Sequence, residues 1–298
     1  MQNNSLQLED WWPERFLEDI LEKYGDSVEA VLLYGSWLRG ERDTLPDFYV
    51  ILKDYRQLPT LWQRTANKIL EPNVYQLILV ESDSKCSAKY ATVSMRSLEE
   101  KITNGFHPYL WARFSQPSKI LYTKSKVVLD TLNALMHHSA IRMMEEVLGM
   151  LPPAFTSRCM WKTALTLTYA SELRAENPSK INSLIDHYES YFESRVLENS
   201  NALGLIEVTK HEWTFHCSNQ FRFKSRLRWK VRKTLGVLLS VARLLKATST
   251  FNQPLQYLLW KIERHTGIKE NATELQLKHP LIFSWPLLWK LYRKGGFK

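Results

Sequence analysis

Residues 31–50 read VLLYGSWLRGERDTLPDFYV, and their reading decides the fold of the first third of the chain. Two apolar runs, one ending in Tyr34 and one running from Phe48, are short and rich in β-branched and aromatic residues, the composition of buried strands. The first run gives way to Gly35-Ser36. The second is opened by a lone carboxylate, Asp47. A short helix is all that fits between them. A carboxylate at the mouth of a strand is a cap or a metal ligand, and the choice between the two governs what can be said about function.

Working outward, VEAVLLYG, DFYVILK, NVYQLILV, KYATVSM and SKILY read as five strands. A helix is expected from Pro13 to Tyr24, and another over LPTLWQRTANKIL. From Lys124 onward the apolar period becomes helical. VVLDTLNALMHHSAIRMMEEVLGML stops at Pro152-Pro153, and FTSRCMWKTALTLTYASELRA, INSLIDHYESYFESRVL and SRLRWKVRKTLGVLLSVARLLKA follow the same spacing. QPLQYLLWKIERHTG adds a helix stopped by Gly267. Nothing in this half reads as a hairpin. The expectation is an α+β fold: a mixed sheet with flanking helices over residues 1–123, then an all-α region over 124–298.

A chain of 298 residues with 44% hydrophobic and 24% charged residues can bury a sizeable core. Its three cysteines are far apart and odd in number, which argues against a disulfide framework and for a reducing compartment. The N-terminus is acidic, unlike a signal or transit peptide, and no apolar run approaches the ~20 residues of a spanning helix. The net charge of +9 calls for an anionic partner: nucleic acid, a membrane surface or phosphorylated substrates. It is concentrated. Between Glu212 and Glu263 there is no acidic residue, while Arg222, Lys224, Arg226, Arg228, Lys230, Arg232, Lys233, Arg243, Lys246 and Lys261 are all basic. SRLRWKVRKTLGVLLSVARLLKA joins these cations to Trp229, Leu235, Leu238, Leu239, Val241, Leu244 and Leu245, the pattern of a helix lying in a membrane interface. The bland alternative is an ordinary packed helix with a solvated basic face. His211 and His216 are five apart, which is not the spacing of a zinc-binding helix pair.

A strand ending in Gly-Ser, a short helix and a carboxylate opening the next strand resemble the nucleotidyltransferase superfamily. Gly35 lets the backbone approach a triphosphate, Ser36 adds a hydroxyl beside a helix N-terminus, and Asp47 would hold Mg²⁺ during in-line displacement. The superfamily's strand usually offers two alternate carboxylates; here the second position is Tyr49.

KYATVSMRSLEEKI, LWARFSQPSKIL and LTYASELRAENPSKINSLI extend the likeness. They are similar to segments of the mitochondrial-type phosphatidate cytidylyltransferases, the translocator assembly and maintenance family. That family has a YGS strand end, a single Asp, a KYG-V-S strand, an AGRL-KP segment and a SYSGD-R helix in this order. The likeness runs from about Tyr34 to Lys246 and implies a nucleotidyltransferase-like sheet. It implies Asp47, Lys89 and Glu172 as catalytic residues, Tyr34, Gly35, Ser36, Arg113 and Arg174 around the nucleotide, and Asp47 and Glu172 on Mg²⁺. Tyr90, Pro117, Tyr169 and Ser171 fall in the same motifs. Departures are Ser171-Glu172 for Gly-Asp and Trp111-Ala112-Arg113 for Ala-Gly-Arg.

The implied reaction takes CTP and phosphatidic acid to CDP-diacylglycerol and pyrophosphate. An acceptor that is already an oxyanion needs little deprotonation, which would make the missing second carboxylate tolerable. The resemblance also implies an anionic membrane surface as partner through the basic C-terminal helices, and no nucleic acid. A bacterial relative, cytoplasmic and peripheral on the inner face of the cell membrane, is expected. Alternatives are a nucleotidyltransferase acting on another phosphorylated acceptor, and a degenerate protein whose basic face binds RNA or membrane.

Overall fold

The computed structural model describes residues 4–42, 44–56, 61–68, 71–81, 84–172 and 177–247, and beyond them 255, 259, 262–263, 266–278 and 283–294. The first part contains α1 (Asn4–Tyr24), β1 (Val28–Tyr34), a 3₁₀ turn (Ser36–Arg39), β2 (Asp47–Leu52), α2 (Leu61–Lys68), β3 (Asn73–Glu81), β4 (Ser84–Ser94), α3 (Met95–Thr103), α4 (Trp111–Phe114) and β5 (Lys119–Thr123). All five expected strands form one sheet in the order β3-β4-β2-β1-β5. It is mixed: β2 runs antiparallel to β1 and parallel to β4. The first helix begins earlier than expected, so Pro13 lies inside it.

Period-2 alternation explains why both faces of the central strands are buried. Val31, Leu33, Phe48, Val50 and Leu52 face α1 and pack on Phe16, Ile20 and Tyr24. Ala30, Leu32, Tyr49, Ile51, Ala91 and Val93 face the other way, into one apolar cluster with the helices that follow. Those are α5 (Lys126–Val147), α6 (Ser157–Tyr169), α7 (Pro178–His187), α8 (Glu189–Asn199) and α9 (Asn219–Ala247). Farther along lie α10 (Glu274–Lys278) and α11 (Trp285–Arg293). Gly267 has φ 71° and its N–H reaches the Glu263 carbonyl at 2.8 Å, as expected of a helix stop.

The helical half holds something the period did not reveal. Strands β6 (Ala154–Thr156), β7 (Ile206–Thr209) and β8 (Glu212–Thr214) form a small sheet in the order β6-β8-β7. A hairpin therefore exists, turned through His211 at φ 67°. Strands of three and four residues are too short to show alternation, and no Gly or Asn marks the turn.

The 29-residue helix α9 crosses the back of the molecule. Trp229 and Arg232 point inward and are buried, so they are absent from the outward face where Trp229 was expected. Close approach is licensed by Gly236, where a Cβ would lie 1.8 Å from the Ser171 carbonyl oxygen.

Candidate active site

The sheet brings three residues into one row. Tyr34, the last residue of β1, sits opposite Asp47, the first of β2, and Asp47 sits beside Lys89 of β4. Lys89 Nζ lies 3.7 Å from Asp47 Oδ1, each side chain 28% exposed. Beyond Tyr34 the chain turns at Gly35 with φ 87° and ψ −160°, a conformation open to glycine and strained for other residues. A Cβ on Gly35 would stand 3.5 Å from Asp47 Oδ2, in ordinary contact, so the turn lies directly against the carboxylate. Gly35→Ala is expected to cost about 1–3 kcal/mol of stability in a urea melt. Relieving that strain shifts the turn that packs on Asp47, so turnover should fall more than tenfold. A stable and fully active variant would contradict this reading of the turn.

Ser36 is held by its neighbours. Its hydroxyl lies 2.9 Å from that of Thr44, which donates to the Glu41 carbonyl at 2.8 Å, while Glu41 N–H returns to the Ser36 carbonyl at 3.2 Å. These elements line a cleft of about 210 Å³. Its lining takes Gly35, Ser36 and Asp47 from the turn and β2, Arg113 and Pro117 from α4 and just beyond it, and Lys180, Leu184 and Tyr188 from α7 and its end.

Arg113, on α4, closes the site from within. Its guanidinium contacts both carboxylate oxygens of Glu172, at 2.6 and 3.0 Å, donates to the Tyr109 carbonyl at 3.1 Å and covers the Tyr109 ring at 3.9 Å. Burial works against its charge, but Glu172 more than offsets this, and Arg113 stays a cation. Tyr34 and Tyr49 stack with ring centroids 4.7 Å apart. Burial pushes both phenols well above their ordinary value, with the Asp47 charge adding to the effect at Tyr34. Neither is suited to act as a base. The position where a second carboxylate would stand is thus core.

Other expected residues fall elsewhere. Tyr90 alternates away from Lys89 to the opposite face, where its hydroxyl accepts from Lys23 Nζ at 2.8 Å. Ser171 is buried against α9, its hydroxyl donating to the Leu167 carbonyl. Arg174 lies outside the described residues. Tyr169 does line the cleft. Sequence reasoning missed Arg39, Thr44, Lys180 and Tyr188. For Lys180 a signal existed: Asn177-Pro178 is a helix-start pair, and Asn177 caps α7 by accepting from Ser179 N–H. That fixes where the cation two residues later projects.

Behind Arg113, burial first and then the Arg243 cation push the His107 imidazole down to about 4. The unfolded chain takes up that proton near pH 6.5, the folded chain only near 4. Stability is therefore full above pH 6.5 and is lost as pH falls towards 4, by about 2 kcal/mol after allowance for partial exposure. Urea melts at pH 7 and 5 should show a smaller difference for His107→Asn than for wild type; equal differences would refute it.

Among the described residues no group of three or more His, Cys, Asp and Glu is placed to hold a metal. Mg²⁺ does not demand one. It binds through one or two carboxylates and completes its shell with substrate phosphates and water. Asp47, which lines the cleft beside the Gly35 turn, fits that manner of binding.

A comparison of the chain with curated proteins finds no match. A comparison with family models does: the model described as mitochondrial phosphatidate cytidylyltransferase matches residues 18–237, from within α1 to within α9. The matched span includes the row Tyr34–Asp47–Lys89, the glycine turn, and Arg113 with Glu172. The chain belongs to the mitochondrial phosphatidate cytidylyltransferase family, a family of nucleotidyltransferases.

Proposed function

We propose that this chain transfers the cytidylyl group of CTP to phosphatidate, giving CDP-diacylglycerol and pyrophosphate, with Mg²⁺ as cofactor and at a membrane surface. The observation that carries the reading is the union of a glycine turn, a carboxylate that lines the cleft beside it and a lysine 3.7 Å away, on three adjacent strands. The Gly35–Ser36 turn offers backbone N–H donors to the triphosphate, with the Ser36 hydroxyl anchored on Thr44. Mg²⁺ bound at Asp47 would neutralise phosphate charge. An oxygen of the phosphatidate monoester attacks the α-phosphorus of CTP. A new P–O bond forms there as the bond to the bridging oxygen breaks, and pyrophosphate leaves with that electron pair.

The barrier to be overcome is repulsion between an anionic acceptor and a triphosphate. Arg39, Arg113 and Lys180, which line the cleft, and Lys89 beside Asp47 supply the cations that offset it. Glu172 holds the Arg113 fork in place and would be the second carboxylate on Mg²⁺. Arg174 is kept as a further phosphate contact.

The membrane part of the reading rests on α9. Phe223, Leu227, Val231 and Leu238 are exposed, at 66%, 51%, 47% and 62%, and lie among Arg226, Lys230 and Lys233. An apolar stripe flanked by cations suits an interface rich in anionic lipid, such as the inner face of a cell membrane. No helix among the described residues is long and apolar enough to cross a membrane.

The deciding experiment measures pyrophosphate release from each of the four NTPs, with Mg²⁺ and phosphatidic acid in mixed micelles. Release confined to CTP and dependent on the lipid is expected. Equal release from all four, or none, would refute the assignment.

A further inference from the structure

The helix α9 also sends a cation inward, beyond the residues that the family model matches. Arg243 lies over the Tyr109 ring at 4.2 Å, the ring that Arg113 covers at 3.9 Å. Two guanidinium groups therefore share one aromatic ring beside the cleft. Glu172 supports the charge of Arg243, but both oxygens of Glu172 already contact Arg113. Arg243 Nε and Nη1 are closed off from solvent and find no acceptor, and the buried Tyr49 hydroxyl, in the same cluster, finds no partner either. Neighbouring His107 stays neutral at physiological pH and supplies no countercharge. Arg243 thus sits among the like charges of Arg113 and Lys101 with its Nε and Nη1 donors unmet.

A buried guanidinium without an acceptor is destabilising, and proteins keep such groups where a ligand completes them. The ligand chemistry is legible from the donors. The unmet planar edge of Arg243 suits an anion with several oxygens, a phosphomonoester above all. Arg113 lines the cleft and shares the Tyr109 ring with Arg243, so an anion on Arg243 lies near the cleft where the nucleotide phosphates are proposed to lie. The donor that must reach those phosphates is the acceptor.

We infer that Arg243, together with Arg113, binds the phosphate head of the acceptor, which makes α9 part of the acceptor site. The inference rests on the cytidylyltransferase reading for the identity of the acceptor, but not for the existence of the anion site.

The test is calorimetric and needs no turnover. Dioctanoyl phosphatidate, inorganic phosphate and CTP with Mg²⁺ are titrated into the full chain, wild type, Arg243→Gln and Arg243→Lys, and each variant's melting temperature is taken without ligand. Arg243→Gln should weaken dioctanoyl phosphatidate at least tenfold and leave CTP affinity within twofold, with Arg243→Lys in between. Its melting temperature should rise, because a buried uncompensated charge is gone. In turnover, KM for the lipid should rise while KM for CTP holds.

Equal weakening of CTP and lipid would assign Arg243 to the nucleotide and overturn the inference. So would unchanged lipid binding, and so would a fall in melting temperature with lipid affinity preserved, which marks a structural arginine. Weakening of inorganic phosphate alone, with the lipid unaffected, would place a free-phosphate site here and overturn the acceptor assignment. If wild type binds the lipid through Arg243 but never releases pyrophosphate, the proposed reaction fails while the anion site stands.

Discussion

An Asp47→Asn chain is expected to lose nucleotidyl transfer by 1,000-fold or more in kcat, about 4 kcal/mol of transition-state stabilisation, while folding almost as stably as wild type. The two halves of this expectation come from different features of one residue. Asp47 is 28% exposed and its contact with Lys89 is 3.7 Å long, the kind of ion pair worth about 0–1 kcal/mol. Little stability rides on it. The catalytic effect is large because no second carboxylate stands on β2 beside Asp47: the alternate position is Tyr49, packed between Tyr34 and Phe114 at 4.7 and 5.1 Å. Asparagine keeps the shape and one oxygen but not the charge that draws a divalent cation. Turnover measured over a range of Mg²⁺ concentrations, beside a thermal melt, separates the parts. Activity above a tenth of wild type in Asp47→Asn would sink the assignment of Asp47 as the metal carboxylate.

The strands were legible because the sheet is buried on both faces and its side chains are β-branched or aromatic. From Val28 to Thr123 the five runs read from residues are the five strands found. The row Tyr34–Asp47–Lys89 was legible only as three separate motifs. What joins them is register, and register depends on β2 pairing parallel with β4, which no local pattern encodes. The pairing of Arg113 with Glu172 was likewise out of reach, since 59 residues separate them and the contact exists because α4 and the end of α6 converge. The basic helix shows the converse failure. Period and charge identified α9 as amphipathic, but Trp229 and Arg232, which look like interface residues in sequence, are its buried anchors. An arginine reads as surface unless its carboxylate is known, and Glu146 lies 86 residues away.

That carboxylate carries the second large effect. Glu146→Ala is expected to cost about 3–5 kcal/mol, a large part of the 5–15 kcal/mol that holds a domain folded. Arg232 is fully buried, its Nη1 and Nη2 on the two Glu146 oxygens at 2.8 and 2.7 Å and its Nε on the Phe106 carbonyl at 2.8 Å. The rings of Phe106, Trp111 and Trp229 surround it at 4.8–5.5 Å. Burial alone would raise the Glu146 carboxyl, but the hydrogen bonds and charge of Arg232, and the charges of Arg228 and Arg142, bring it below its ordinary value. The pair therefore contributes fully above the ordinary carboxylate range and weakens as pH falls through it. Truncating Glu146 leaves a guanidinium sealed among aromatic rings with no anion; truncating both partners does not. Glu146→Ala combined with Arg232→Met should recover most of the loss in a urea double-mutant cycle, and a single-mutant cost below 1 kcal/mol would show that Arg232 is not sealed. Function is coupled to this pair through the Phe106 carbonyl, which leads within seven residues to Tyr109 and Arg113. Loosening Arg232 frees the loop that carries the ring shared by Arg113 and Arg243. Among Glu146→Ala molecules that remain folded, KM for the lipid should therefore rise more than KM for CTP, and the double mutant should restore stability without fully restoring that KM.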